Sequence, residues 1–334
     1  LPISYKLTNH IINEKIEFER NPLYWNDKET VINSATFLAI ENPSTDVARY
    51  RAGDLDMTNY GLPPEQFAKL QKELPGEVYI TRTLATYSYE LNNKKAPFDN
   101  VNIRKALNLS LDRNVITDKV LGQGQTPTYV FTPTYIEEGH LIQQPAYSKE
   151  PMAQRNEEAI KLLEEAGYSK ANPLKFTILY NTNENHKKVA IAAASMWKAN
   201  TKGLIDVKLE NQEWKTYIDS RRAGRYDAAR AGWNADYNQA TTFGNYFLSN
   251  SSNNTAKYAN PEYDKAIAES YVATDAEGRA KAYAKAEEIL AKDFGIVPIF
   301  NYVNPRLVKP YVKGYSGKDP QDHIYLRNLY IIKH

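Results

Sequence analysis

Arg230-Ala-Gly-Trp233-Asn-Ala-Asp236-Tyr237-Asn238 brings a cation, an anion, a large aromatic ring and a glycine into one short segment. A Gly beside a Trp at a strand end lets another backbone approach closely along an aromatic wall. The Asp236 carboxylate is then placed to receive a cation. The same residues also suit a plainer arrangement, with Arg230 and Asp236 as a local ion pair and Trp233 in the core. Upstream, Tyr180-Asn-Thr-Asn-Glu-Asn-His186 adds Asn181 and His186, and the stretch between the two segments adds Trp214 and Arg221. His186 alone would read as a surface residue at a helix start. One acid, several bases and two Trp converging at consecutive strand ends describe a crevice suited to a zwitterion with an apolar middle.

Other chemistries find little support in the residue spacing. There is no phosphate-cradling G-x-x-x-x-G-K-[ST], no G-x-G-x-x-G, no G-x-S-x-G elbow and no H-E-x-x-H. The five His, at 10, 140, 186, 323 and 334, include no i, i+4 pair that would set two ligands on one helix face. Neither a metal nor a cofactor is expected. The sequence contains no Cys, which removes disulfides, thiolate chemistry and Cys-ligated zinc together. Asp and Glu are plentiful, and a carboxylate-pair hydrolase stays open because no pattern selects any two of them.

Periodicity supplies the elements that must position these residues. Leu174 to Tyr180 reads as a strand, Lys187 to Asn200 as a helix with an Ala-rich face, Ile205 to Leu209 as a strand, Glu213 to Ala223 as a helix and Tyr226 to Gly232 as a strand. This β-α-β-α-β order implies neighbouring parallel strands with right-handed crossovers. The strand ends of such a unit are where ligands bind in open α/β sheets. Earlier strands are expected at Lys15 to Arg20, Val31 to Ile40 and Val78 to Leu91, with a helix at Pro64 to Glu73 stopped by Pro75-Gly76. Val101, Ala106, Leu109, Val115, Ile116 and Val120 recur at helical spacing, and Gly122 ends the run. Gly124 to Pro151, rich in Pro, Gly, Thr and Tyr, has no period, and a loop of that length is usually functional or wraps another domain. Helices follow at Pro261 to Val272 and Asp275 to Ala291, the second opened by a capping box of Thr274 with Glu277. A strand at Ile296 to Tyr302 and a tail ending in Tyr325 to Ile332 close the chain.

A length of 334 residues favours two domains over one at about 100 to 200 residues each. Lys plus Arg number 42 and Asp plus Glu 40, a formal +2, so the basic excess expected of a nucleic-acid binder is missing. With 42% hydrophobic and 25% charged residues the chain should fold rather than stay disordered. No apolar run approaches the roughly 18 to 20 residues of a membrane span, and Leu1 to Asn9 lacks the basic and apolar regions of a signal peptide. Tyr is in surplus, 25 against 10 Phe and 4 Trp. A ring with a hydrogen-bonding tip suits a wet, mixed-polarity binding surface better than a dry core. The alternative is that many of these tyrosines sit half-buried on strands.

At these residues the chain resembles the periplasmic oligopeptide-binding proteins of bacterial ABC peptide importers, part of a wider solute-binding family. The similarity runs over essentially the whole chain. Its most specific stretches are Phe18-Glu-Arg-Asn-Pro-Leu-Tyr-Trp25, Arg49-Tyr-Arg-Ala-Gly-Asp-Leu-Asp-Met57, Asn211-Gln-Glu-Trp-Lys215, Ala229-Arg-Ala-Gly-Trp-Asn-Ala-Asp-Tyr237, Leu248-Ser-Asn-Ser-Ser252 and Arg306-Leu-Val-Lys-Pro310. The resemblance implies an α/β, periplasmic-binding-protein-like clamshell (type II, peptide-binding cluster) that captures short peptides in extended form for a membrane ABC permease complex. It implies that Asp236 matches the acid holding the ligand's α-ammonium. Gly232 then pairs with the peptide as an added strand, a mode that draws affinity from main-chain hydrogen bonds and leaves side chains in hydrated pockets. By the same match Arg230, His186 and Arg221 receive the ligand's carboxylate, and Trp214, Trp233, Glu90, Asn181 and Tyr302 form pocket walls. A periplasmic location is implied, or a lipid-anchored extracellular one in a Gram-positive bacterium. A murein tripeptide or another specialised ligand is the alternative within the family.

Two departures accompany the resemblance. Family members often carry a Cys pair bridging the second lobe; the corresponding positions here are Ala85 and Asn234, an absence worth roughly 2 to 4 kcal/mol if nothing compensates. Family chains also start far upstream of the point matching Leu1, and Leu1-Pro-Ile-Ser4 departs from the Gly-containing turn expected there. The expected architecture is one complete α/β lobe at 85–304, carrying much of the peptide site and inserted into a remnant of the first lobe at 1–84 and 305–334. Chain crossings near Leu84 and Asn304-Pro305 would form the hinge. Expected partners are short peptides, the permease complex and the missing N-terminal segment, and not nucleic acid.

Overall fold

The computed structural model describes residues 3–59 and 61–334. Leu1 and Pro2, which open the Leu1-Pro-Ile-Ser4 segment, and Tyr60 lie outside the described residues. The chain divides into two compact units, one running to Arg82 and resuming at Val303–His334, the other Thr83–Tyr302.

In the first unit β1 (Tyr5–Ile11), β2 (Lys15–Arg20) and β3 (Ser34–Leu38) form an antiparallel sheet in that order. Two helices, α1 (Pro43–Ala52) and α2 (Pro64–Glu73), bring Val47, Tyr50, Phe67 and Leu70 into a small core with Leu62 and Leu307. Helix α1 has no counterpart in the sequence reading, although its ends are well marked. Asn42 caps it by accepting the Ser44 N–H, Pro43 occupies the first turn and Gly53 closes it at φ 88°. Its buried positions, Pro43, Asp46, Val47 and Tyr50, make a short and partly polar stripe, so apolar periodicity does not reveal it.

The second unit begins within β4 (Val78–Leu91) and continues through α3 (Val101–Leu109), β5 (Thr126–Pro127), α4 (Met152–Glu165), β6 (Leu174–Asn181), α5 (Glu184–Asn200), β7 (Ile205–Gln212), α6 (Trp214–Arg222) and β8 (Ala228–Asn234). Then come α7 (Thr241–Gly244), α8 (Pro261–Val272), α9 (Ala276–Lys292) and β9 (Ile296–Leu307), which carries the chain back to the first unit. There β10 (Val312–Lys313) and β11 (Tyr330–Ile331) pair antiparallel. The six strands of the second unit's sheet lie in the order β5-β9-β4-β8-β6-β7. β6 runs parallel to β7 over its whole length and parallel to β8, so the β-α-β-α-β unit exists as the trio β7-β6-β8. β8 is antiparallel to β4, which makes the sheet mixed. Ala85 and Asn234, where the resemblance implies a Cys pair in relatives, stand directly opposite each other in that pairing.

Alternation sorts the sheet's residues onto two faces. On one, Tyr87, Tyr89 and Leu91 of β4 and Phe176 and Ile178 of β6 pack with Leu107, Leu163, Val189, Ala193 and Trp197 from the helices. The small Ala190 and Ala193 of α5 let Trp197 bury completely, and its Nε1 donates to the Leu107 carbonyl at 2.9 Å. Truncating a residue so placed typically costs about 3 to 5 kcal/mol. On the other side Phe131, Phe243, Tyr246, Phe247, Tyr258, Tyr263 and Leu290 form a second, aromatic-rich core.

Three expectations need correction. The helical run from Val101 to Gly122 is two pieces: α3 stops at Leu109, and a π-helical turn, Val115–Leu121, begins where Asp112 Oδ1 accepts the Asn114 and Val115 N–H groups. Between them Arg113 turns fully inward and donates to the carbonyls of Thr128, Pro298, Asn108 and Leu111, a demand no continuous helix could meet. Helix α9 is capped by Asp275, whose Oδ1 accepts the Gly278 N–H at 2.6 Å, and not by Thr274. Many tyrosines serve the interior rather than a wet surface: Tyr50, Tyr87, Tyr89, Tyr217 and Tyr263 are sealed, and the hydroxyls of Tyr226 and Tyr263 donate to the carbonyls of Thr255 and Gly244.

Candidate functional site

The site forms where β6 and β8 part. Their pairing ends at Leu179 opposite Ala229, while β6 follows β7 to Asn181 and β8 follows β4 to Asn234. Beyond Ala229, β8 therefore has a sheet neighbour on one side only among the described residues. The Arg230 carbonyl points away from β4, because it accepts the Tyr217 hydroxyl of α6, whereas Ala235 N–H bonds the Leu84 carbonyl toward β4. Main-chain groups alternate sides along a strand, so the N–H and C=O of Gly232 and Asn234 face the same open side as the Arg230 carbonyl.

Side chains alternate too, in the perpendicular sense. Arg230 and Gly232 lie opposite Tyr89 and Tyr87 and so share their face. The Arg230 guanidinium lies 5.2 Å above the Tyr87 ring centre, its Nη1 donates to Asn181 Oδ1 at 3.4 Å and its Nη2 donates to the Tyr302 hydroxyl at 2.5 Å. Its buried Nε has no hydrogen-bond partner. Gly232 makes room for this group: a β-carbon there would sit 3.0 Å from both Arg230 Nη2 and the Tyr302 oxygen. His186 stands beside the cluster at the start of α5, its ring centre 5.6 Å from that of Tyr87. Asn183 Oδ1 caps the helix there through the Asn185 and His186 N–H groups. Burial first, then the charge of Arg230, hold the His186 imidazole well below its ordinary pKa, so it is neutral at pH 7. The result is an obligate cation whose partners are a hydroxyl, an amide and a ring face, with a neutral imidazole alongside, an arrangement ready for an anionic group.

The acid lies past the end of β8. Asp236 is exposed, and Thr242 Oγ1 fixes its base by accepting the Asp236 N–H at 3.2 Å and the Trp233 indole N–H at 3.2 Å. Trp233 packs edge-on against Tyr246, 4.9 Å away, so it is part wall and part core. Trp214, 56% exposed at the first turn of α6, stacks on Tyr217 at 5.9 Å.

Glu90 and Arg221 behave differently. They meet each other at 2.9 Å in the interior, with Glu90 fully buried. Tyr246 and Thr255 hydroxyls donate to Glu90, and Arg221 Nη2 donates to the same two oxygens at 3.1 and 3.0 Å. Burial opposes the Arg221 charge, but the Glu90 carboxylate together with the Tyr217 and Tyr246 phenols outweighs it and holds the guanidinium's pKa well above its usual value. Ala229, directly across from Glu90, leaves space for the pair. Of the ten residues singled out from sequence, then, the structure gathers Arg230, Gly232, Asn181, His186 and Tyr302 at the opening, sets Asp236 and Trp233 just beyond β8 and Trp214 on α6, and gives Glu90 and Arg221 to a sealed network. Sequence reading missed Tyr87, Tyr217 and Thr242; only Tyr87, in the alternating Tyr87-Ser-Tyr89, had a local signal. Among the described residues no group of three or more His, Asp or Glu could hold a metal ion, and no helix is long and apolar enough to cross a membrane.

Residues 4–255 match the middle region of the bacterial extracellular solute-binding proteins, family 5, and the chain belongs to that family. The periplasmic oligopeptide-binding protein OppA of Haemophilus influenzae is 97% identical to it over 331 residues, 99% of this chain and 61% of that protein. The periplasmic murein peptide-binding protein MppA of Escherichia coli is 43% identical over 331 residues, again 61% of its length. The chain thus spans about three fifths of these relatives. A crystal structure of H. influenzae OppA in complex with RPPGFSPFR matches with a TM-score of 0.96 at 96% identity, covering 99% of this chain and 64% of that one. The E. coli murein tripeptide binding protein MppA gives 0.94 at 42% identity, with the same coverage.

Proposed function

We propose that this chain captures short peptides in extended form, as part of a periplasmic solute-binding protein that delivers them to a membrane ABC permease complex. The observation that carries this reading is the unpaired side of β8: Gly232 and Asn234 offer main-chain donors and acceptors along a strand flanked by an uncompensated Arg230 and followed by an exposed Asp236. An extended peptide laid there as an added strand would place its ammonium toward Asp236 and its carboxylate toward Arg230 and the neutral His186, while Trp214 and Trp233 border its side chains. Main-chain pairing with charged ends binds many sequences alike. Kinship with a relative solved in complex with RPPGFSPFR supports the ligand class.

Calorimetry on the full-length protein with a tripeptide and its N-acetylated form tests the reading. Asp236→Ala should weaken binding of the free-amine tripeptide by about 2 to 5 kcal/mol, since it strands a cation in a partly desolvated crevice. Recovery of the peptide with its mass unchanged separates capture from hydrolysis. Equal affinity of the unmutated protein for both forms would overturn the amine anchor.

A further inference from the structure

The loop that carries Asp236 is gripped by a second loop that plays no part in the site described above. Glu137 donates its N–H to Asn238 Oδ1 at 3.2 Å and accepts the Ala240 N–H at 3.0 Å. Glu138 continues the grip. Its Oε2 accepts from Gln239 Nε2 at 2.9 Å, and its Oε1 accepts from Arg279 of α9, Nε at 2.8 Å and Nη2 at 2.6 Å. Gln239 in turn accepts from the Thr241 hydroxyl, which meets the Tyr283 hydroxyl of α9 at 2.8 Å. Every residue from Asn238 to Thr241 is thus tied to Glu137, Glu138 or α9. Thr242, which holds the Asp236 N–H, comes next in the chain.

Backbone geometry makes the grip more than incidental. Glu138 sits at φ 63°, the left-handed region that a residue with a β-carbon avoids. Gly139 follows because a β-carbon there would lie 2.8 Å from Ile136 Cγ2 and 3.0 Å from the Pro133 carbonyl oxygen. A disfavoured conformation persists only where its surroundings over-determine it, and such residues cluster at functional sites. Here the strained turn aims a carboxylate, 11% exposed, at two partners at once. A partly exposed ion pair contributes little to stability by itself, so direction rather than stability is what this one supplies.

We propose that Glu138 and Arg279 are positioning residues for amine recognition: their ion pair fixes segment 238–241, and through Thr242 the Asp236 carboxylate, in the orientation that meets a ligand ammonium. The proposal rests on reading Asp236 as the ammonium acceptor. Recognition of this kind depends on supporting residues that hold the contacting group in place before the ligand arrives.

The test is calorimetry of full-length Glu138→Ala, Arg279→Ala, the double variant and Glu138→Gln, each with one tripeptide and its N-acetylated form, beside thermal midpoints. Each single alanine variant should bind the free-amine tripeptide about 10- to 30-fold more weakly while its affinity for the acetylated form stays within about threefold, and the double variant should be no worse than the singles because the pair acts as a unit. Glu138→Gln keeps an acceptor for Gln239 and should recover part of the loss, which guards against a variant that fails to fold. Equal losses for both peptides, or a lowered midpoint with amine discrimination intact, would overturn the positioning role and leave Asp236 standing. Failure of the unmutated protein to discriminate the two peptides would overturn the Asp236 reading and this proposal with it.

Discussion

Two arginines nine residues apart, Arg221 on α6 and Arg230 on β8, occupy opposite sides of the same sheet and do different work. Arg221 has a carboxylate at 2.9 Å and two hydroxyls that serve both charges, so its charge is balanced from within the fold even though its Nε has no hydrogen-bond partner. Arg230 has only a hydroxyl, an amide and an aromatic face, its Nε lacking a partner as that of Arg221 does. A buried pair whose opposite charges meet inside the fold is architecture, and breaking it is costly because one charge is left stranded. A cation held by neutral groups keeps its attraction for an anion while its geometry is already set. Residue type alone does not separate the two; what does is whether the fold brings a counter-charge. That distinction sets Glu90 and Arg221, paired in the interior, apart from Arg230 at the open side of β8.

The sharpest way to break the contrast is Glu90→Ala, which leaves Arg221 uncompensated and should lower folding stability by about 3 to 5 kcal/mol. Denaturant unfolding measures this. Replacing both partners with Met should return most of the loss, since well-packed apolar substitutes for a buried pair are often neutral or better. If the single variant unfolds like the unmutated protein, the network is not the structural unit described.

On the other side of the sheet, Gly232→Ala should do the reverse. The new β-carbon must displace the Arg230 guanidinium or the Tyr302 hydroxyl from 3.0 Å, both at the ends of side chains, so stability should hold while peptide affinity falls about 10- to 100-fold, or 1.4 to 2.7 kcal/mol. Titration calorimetry beside a thermal scan reads both quantities. Loss of stability without loss of affinity would place the glycine in the framework instead.

The smallest effect concerns His186. Its pKa in the folded protein is depressed, by burial first and by Arg230 next, so between its ordinary value near 6.5 and the lower folded value the unfolded chain binds more protons. Its contribution to stability is present above pH 6.5 and lost as pH falls toward the folded value, with a slope no steeper than about 1.4 kcal/mol per pH unit. His186→Gln should remove that part of the pH dependence. An unchanged profile would mean that the imidazole is not held neutral beside Arg230.

Much of the fold is legible in the sequence wherever the information is local. The β6-α5-β7-α6-β8 order follows from alternating periods, and the Gly232-Trp233 pair between Arg230 and Asp236 marks the opening by residue type and spacing alone. Relations set by long-range pairing stay hidden. Nothing near Glu90 announces Arg221, nothing near Arg230 announces Tyr302, and Tyr217 is joined to the site through the Arg230 carbonyl, which carries no side-chain signature. Helix α1 escapes because its caps are clear but its apolar stripe is short. The Tyr surplus misleads in part, because a phenol that bonds a carbonyl inside a core leaves the same compositional trace as one on a wet surface.

The central claim, that Arg230 is the cation kept for a ligand's carboxylate and Arg221 is not, is tested most directly by titrating full-length Arg230→Met with a free-acid tripeptide and with its C-terminal amide. The unmutated protein should prefer the free acid by about 10- to 100-fold, and Arg230→Met should erase that preference while leaving the amide's affinity within a few-fold. Arg230→Met retaining the full preference for the free acid would contradict the account.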